Sequence, residues 1–176
     1  MIISGYPGIG KSSMAESFDE VIDLESHNMV VDGTRHDDWA KAYCNFARDF
    51  SNHCKTVFVS SHKEVRDELK DYECKLLVYP SISMKNSWIK KLEKRYDEFP
   101  SEKNRKALEF GKKYFESSIL ELQNDTNFKY KLELTNPRYN LMLELCDYYE
   151  KYMAVTYGHD RHGIIRLHYN YRKSFR

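Results

Sequence analysis

Proline and cysteine are scarce in this chain, with 4 of each among 176 residues, and glycine is little commoner at 7. So few prolines and glycines exclude a proline-rich linker, a collagen-like repeat and a flexible low-complexity chain. Cys44, Cys54, Cys74 and Cys146 are scattered, without the close pairs of a zinc site or a redox motif. They read as free thiols in a reducing compartment rather than as a disulfide framework. No apolar run approaches the ~20 residues that a membrane-crossing helix needs. No leader with a charged start and an apolar middle precedes the first apolar segment. These absences lead to the expectation of a cytoplasmic protein with no membrane attachment. Net charge is missing too: 28 Lys and Arg face 27 Asp and Glu, a balance of +1. A protein that coats polyanions with its whole surface is thereby excluded, although local basic patches are not. What is plentiful is aromatic: 14% of the residues, chiefly tyrosine, which suits an aromatic-rich core and pocket. The length suits one domain spanning residues 1–176.

Short apolar runs alternate with helical patterns along the chain. Strands are expected at Met1–Ser4, Val21–Leu24, Thr56–Ser60, Leu76–Tyr79 and Tyr130–Leu134. The first four are unalternating, as in strands buried on both faces. Between them, Lys11 to about Phe18 reads as a helix. Trp39, Tyr43, Phe46 and Phe50 recur at helical spacing after an Asp37 or Asp38 cap. A short helix is expected over His62–Asp71 and another over Met84–Tyr96, with Trp88, Leu92 and Tyr96 on one face. Pro100-Ser101 breaks the pattern, and Ser101 caps a helix carrying Leu108, Phe115, Ile119 and Leu122. Pro137 is read as opening a last helix with Leu141, Leu145, Tyr148 and Tyr152. This order implies an α/β fold, a three-layer arrangement with a parallel five-stranded sheet between helices. From Ile165, apolar and polar residues alternate as in an added edge strand, Arg166 and Arg172 lying on its polar face. The whole segment 151–176 is basic.

The densest signal lies at the start. Gly5-Tyr6-Pro7-Gly8-Ile9-Gly10-Lys11-Ser12 fits G-x-x-x-x-G-K-[ST], a phosphate-binding loop. The glycines allow a turn in which successive N–H groups meet phosphate oxygens. Lys11 reaches the β- and γ-phosphates, Ser12 offers a hydroxyl to Mg²⁺, and Ser13 completes the contact set. An apolar strand before the loop and a helical stretch after it supply the context the motif requires. ATP is favoured over GTP, because no Asn-Lys-x-Asp pattern for reading guanine is present.

With this loop in so short a chain, and a second strand ending in Asp23, the sequence resembles the P-loop small-molecule kinases, among them nucleoside monophosphate, shikimate and gluconate kinases. It also resembles small kinase-like phage proteins. The likeness in element order spans roughly residues 1–150; the loop is its specific motif. The resemblance implies an ATP- and Mg²⁺-dependent transfer of the γ-phosphoryl to a small acceptor, a nucleotide or nucleoside-like molecule. Asp23, at the carboxyl end of its strand, is implied to face the acceptor or the hydrated metal, with Glu25 as a weaker candidate. The third strand ends in Ser60-Ser61-His62 rather than in an acid, which resembles kinases more than ATPases that activate water. Ser60 is a candidate for holding metal-bound water. Lys63 and Arg66 are candidates to face an anionic acceptor.

A lid is implied around residues 84–124, the helical hairpin broken at Pro100. Arg95 and Arg105 are its candidate catalytic cations, because guanidinium forks match phosphate oxygens. Thr135-Asn136-Pro137-Arg138 stands where such kinases hold adenine, although a helix cap explains it as well. Trp39, Tyr43, Trp88 and Tyr96 are read as core. Two alternatives stand beside the small-acceptor kinase. The basic, tyrosine-bearing C-terminus suits a polynucleotide 5′-kinase. The missing acid after the third strand suits a nucleotide-responsive binding protein with little turnover.

Overall fold

A computed structural model describes residues 1–53 and 55–157. The basic alternating strand expected from Ile165 lies outside the described residues. The main sheet is five-stranded and parallel, ordered β2-β5-β1-β6-β7. Its strands are β1 (Ile2–Gly5), β2 (Val21–Asp23), β5 (Thr56–Ser60), β6 (Lys75–Pro80) and β7 (Lys131–Leu134). β1, β5 and β6 are buried almost throughout, as their unbroken apolar runs require.

The helices are α1 (Lys11–Ser17), α2 (Trp39–Asn52), α3 (Lys63–Glu68), α4 (Lys85–Glu98), α5 (Glu102–Gln123), α6 (Leu141–Tyr148) and α7 (Ala154–Tyr157). From β1 the chain steps to the β2 edge, and every later crossover steps back the other way. Right-handed crossovers in opposite directions set α1 on one face and α2, α3 and α5 on the other. Contacts agree: α2 packs on α3, and α3 is tied to α5 through Arg66. β1 and β5 are adjacent strands whose connections leave in opposite directions. The crevice outside their carboxyl ends is therefore the switch point where such sheets hold ligands.

The helical hairpin of α4 and α5 is rooted in the core by Trp88, Leu92, Phe115, Ile119 and Leu122. The two helices meet closely at Gly111, where a Cβ would lie 2.9 Å from Leu92 Cδ1. Ser101 caps α5 as its sequence requires, its hydroxyl accepting from the Asn104 amide at 3.2 Å.

Three elements depart from the sequence reading. A hairpin of β3 (Val30–Val31) and β4 (Thr34–Arg35) interrupts the step from β2 to α2. Its turn is Asp32-Gly33, both at positive φ (50° and 79°), the Asp-Gly signature of a two-residue hairpin loop. In α2, Phe46 is 55% exposed and Phe50 38%. Trp39 and Tyr43 are buried as read, but from them the buried face turns toward Ala40, Cys44, Ala47 and Ser51 instead of continuing through Phe46 and Phe50. Small residues there bring the helix close to the sheet. Finally, Pro137 does not open a helix. Asn136 Oδ1 accepts from the Arg138 amide at 2.9 Å and closes a turn, and Asn140 caps α6 by accepting from the Leu143 amide at 3.2 Å. A single π-turn over Tyr149–Met153 then leads into α7.

Candidate functional site

The loop from Gly5 to Ser12 leaves β1 at the switch point and runs directly into α1. Gly8 (φ 87°) and Gly10 (φ 106°) hold left-handed conformations that side chains resist. At Gly5 space is the constraint, since a Cβ would come within 2.6 Å of Ile9 Cδ1. Three carbonyls of the loop are held by side chains. Lys11 Nζ donates to Gly5 O at 3.1 Å, Trp88 Nε1 to Pro7 O at 3.2 Å, and the Tyr139 hydroxyl to Ile9 O at 2.9 Å. Trp88 and Tyr139 stack on one another, with centroids 6.3 Å apart and planes 10° apart. The Lys91 ammonium lies 5.0 Å from each ring and donates to the Tyr139 hydroxyl at 3.2 Å. Among the described residues, the amides of Gly8, Gly10, Lys11, Ser12 and Ser13 donate to no protein group. Anchored carbonyls and unused successive amides make the backbone pattern of an anion nest.

Ser12 and Asp23 meet at the mouth of this loop. The Ser12 hydroxyl donates to Asp23 Oδ2 at 2.7 Å, while Asp23 Oδ1 is buried without a partner. Burial raises the Asp23 carboxyl above its ordinary value, against the pull of Ser12 and Lys11. Burial also depresses the Lys11 ammonium; Asp23 and Glu25 oppose that, and Lys103 and Arg95 reinforce it. Both cations are carried by the α4–α5 hairpin, and Lys103 forms an ion pair with Glu25, just after β2. Burial alone would raise Glu25, but the bond and charge of Lys103, with His27 and Lys11, hold it below the usual carboxylate range.

A second group of polar side chains gathers past the carboxyl ends of β2 and β5. The Arg35 guanidinium lies 4.1 Å over the Trp39 ring, and its Nη2 approaches Ser26 Oγ at 3.3 Å. His62 meets Trp39 edge-on at 5.7 Å and 87°, with its Nδ1 2.8 Å from Ser60 Oγ. The Tyr43 hydroxyl donates to Leu24 O and accepts from the Ser60 amide at 3.1 Å, tying the ends of β2 and β5 together. Partial burial, then Arg35, pulls the His62 imidazole below its ordinary value.

Neither protein-family models nor curated proteins give a match to the chain. The geometry of the site stands on this chain's own residues.

Gly5, Tyr6, Pro7, Gly8, Ile9, Gly10, Lys11, Ser12, Ser13, Asp23, Ser60 and Arg95 all belong to this end of the sheet. Tyr6 is buried, its hydroxyl raised to about 12 by that burial, and it packs edge-on against Trp88 and Phe115. It contributes backbone to the loop and side chain to the core. Arg105 is not brought to the loop: it pairs along its own helix with Glu102 and Glu109. Lys63 likewise pairs with Asp67 on the surface. Arg66 does not face the crevice, being 2% exposed and held by Glu121 and Asp125. A cavity of about 450 Å³ adjoins the loop, lined by Ser13, Met14, Phe18, Lys91, Tyr139 and Leu141. It uses the segment just after the Thr135–Arg138 turn that the sequence had suggested. A recess of about 290 Å³ near Lys75 is remote from this site, and the Lys75 ammonium there is spent on the Leu69 and Lys70 carbonyls.

Arg35, Lys103 and Tyr139 are the contributors that sequence reasoning did not single out. The Asp-Gly turn was a readable signal for the hairpin that carries Arg35. For Lys103 and Tyr139 no local pattern exists, since both act on elements distant in sequence.

Proposed function

We propose that the chain is an ATP-dependent phosphotransferase whose Gly5–Ser12 segment is a P-loop. The observation that carries this reading is the anchored loop: carbonyls of Gly5, Pro7 and Ile9 held by Lys11, Trp88 and Tyr139, with successive amides left to a ligand. A triphosphate would take those amides, and Lys11 would exchange its own loop carbonyl for phosphate oxygens. The neighbouring cavity has the size and the mixed aromatic and polar lining suited to a nucleobase.

The residues present fit a magnesium ion. Ser12 supplies a hydroxyl and Asp23 a carboxylate with a buried oxygen still unpartnered. One carboxylate plus substrate phosphates is how magnesium is usually bound in such sites. Bound there, the ion would neutralise charge on the β- and γ-phosphates. Arg95 and Lys103, whose charges bear on Lys11 from the hairpin, would add positive charge near the transferring group.

The test is direct. Transfer of the γ-phosphoryl from ATP to a panel of nucleoside monophosphates, nucleosides, sugars and oligonucleotides is measured for wild type and Lys11→Ala. Wild type should phosphorylate at least one member and the folded variant none. Equal rates for the two proteins would refute this reading of the loop.

A further inference from the structure

The first half of the loop is seated on the α4–α5 hairpin, and the packing between those two helices bears on its shape. This point rests on the P-loop reading and concerns what sets the loop rather than what it binds. Trp88 of α4 donates to Pro7 O at 3.2 Å. Tyr6 meets Trp88 edge-on, with centroids 6.2 Å apart, and Phe115 of α5 edge-on, with centroids 5.8 Å apart. All three rings are buried. Close-packed side chains of this kind pass a displacement on rather than absorb it.

Leu92, one turn after Trp88, stands between α5 and the loop. On one side, a Cβ at Gly111 of α5 would lie 2.9 Å from Leu92 Cδ1. On the other, a Cβ at Gly8 would lie 3.3 Å from Leu92 Cδ2 and 3.4 Å from Trp88 Cζ2 and Nε1. Two glycines, one on a helix and one in the loop, therefore leave room for the two methyl groups of one buried leucine. A methyl group added at Gly111 meets the end of the Leu92 side chain before it meets backbone. Leu92 is then driven toward Gly8, the side its other methyl already fills. Phe115 lies one turn beyond Gly111 on the same face of α5, so that face reaches the loop a second time through Tyr6.

We infer that Leu92 and Gly111 are positioning residues for the phosphate-binding loop. The close approach of α5 to α4 at Gly111 sets Leu92 against Gly8. Together with the Trp88 bond to Pro7, it holds the loop in the shape that leaves its amides to phosphate. Leu92 and Gly111 act through Gly8, Trp88 and Tyr6, not by contact with nucleotide. The pair is matched in volume: Leu92→Val removes one carbon from this contact and Gly111→Ala returns one, a volume-conserving exchange.

Calorimetric titration of ATP with magnesium into wild type, Leu92→Val, Gly111→Ala and the double variant tests this. The Trp88 indole N–H is followed by NMR in the same proteins without nucleotide. The chain has 2 tryptophans, and Trp39→Phe assigns the Trp88 resonance. Gly111→Ala should weaken ATP binding about 10-fold, the scale of overpacking a filled contact. Alanine favours helix over glycine, so a fraying α5 would not account for the loss. Leu92→Val should weaken binding about 3-fold, as loss of a buried methylene does. The double variant should return to within about 2-fold of wild type, because residues in contact are not additive. The indole shift and its hydrogen-exchange rate should move in each single variant and return in the double.

Leu122→Ala is the control for general destabilisation. Leu122 is buried on the same face of α5, roughly 16 Å further along the helix axis. It should lower Tm yet leave ATP affinity within about 2-fold of wild type and the indole unmoved. Unchanged affinity and an unmoved indole in both single variants would overturn the inference. So would a double variant that binds more weakly than either single variant, or a loss in Leu122→Ala equal to that in Gly111→Ala. If Gly111→Ala does not fold, Leu92→Val against Leu122→Ala decides the matter by the same two readings. Failure of wild type to bind ATP would instead sink the P-loop reading, and the indole measurements would still decide what positions the loop.

Discussion

Replacing Asp23 with asparagine should stabilise the protein and cripple the site together. In the wild type, Asp23 Oδ2 accepts from Ser12 and Oδ1 is buried without a partner. Its carboxyl is raised by burial even though Lys11, Ser12 and Lys103 all pull it down. The ionised form is therefore a net cost in the folded chain, with the attraction of Lys11 already counted. Asparagine retains an oxygen for Ser12 and removes the charge. The gain at neutral pH should be about 1 kcal/mol, typical for relief at a functional site. In a domain of this size that is a rise of roughly 2–4 °C in Tm. The pH dependence has a fixed sign. A folded pKa above the unfolded value near ~3.9 means the folded state holds this proton more tightly. The group's stabilising contribution is thus fully present below the unfolded pKa and is lost as pH rises through the raised folded value. Melts of both proteins from pH 4 to pH 8 should show the variant's advantage growing across that window and then levelling. Magnesium-supported ATP affinity should fall about 10- to 100-fold, the scale for losing a group that orients a metal site. An Asp23→Asn protein that melts below wild type at pH 7 would refute the reasoning about the buried carboxylate.

Further outcomes follow from other contacts. Arg66→Met should cost about 3–5 kcal/mol in urea unfolding, because it strands Asp125, itself 5% exposed, without its guanidinium; a loss under about 1 kcal/mol would show that the cluster contributes little. Trp88→Phe should keep the core packed but release Pro7 O, a loss of about 1–3 kcal/mol at the loop. Titration should show it as ATP affinity weaker by roughly 10-fold, and unchanged affinity would mean the carbonyl anchor does not matter. Arg105→Ala should leave turnover intact and leave the urea midpoint close to that of wild type, since its partners are exposed on its own helix. A large drop in kcat would restore Arg105 to the site.

The sheet was legible because its buried strands are short unbroken apolar runs set between helical patterns, as at Thr56–Ser60, where sequence and structure agree to the residue. The loop was legible because its glycines and Lys11 are adjacent in the chain. The α2 face was half legible: Trp39 and Tyr43 are core as read, but Phe46 and Phe50 are not, because Ala40 and Ala47 set how closely the helix approaches the sheet. Pro137 misled because an asparagine on either side of it competes for the turn, and Asn140 captures the helix start. Arg95 and Arg105 were indistinguishable in sequence; only the packing of the hairpin lets the charge of one bear on Lys11 and leaves the other to Glu102 and Glu109. Tyr139 and Trp88 lie 130 and 81 positions from the carbonyls they hold, beyond any local pattern.

The central claim is that the Gly5–Ser12 loop binds the triphosphate through Lys11. Calorimetric titration of ATP with magnesium into wild type and Lys11→Ala, with circular dichroism to verify that both are folded, tests it most directly. Wild type should bind one ATP per chain with micromolar affinity, and the variant should bind at least about 100-fold more weakly, as loss of a buried charge pairing with phosphate entails. Equal affinity in two folded proteins, or no binding by wild type, would contradict it.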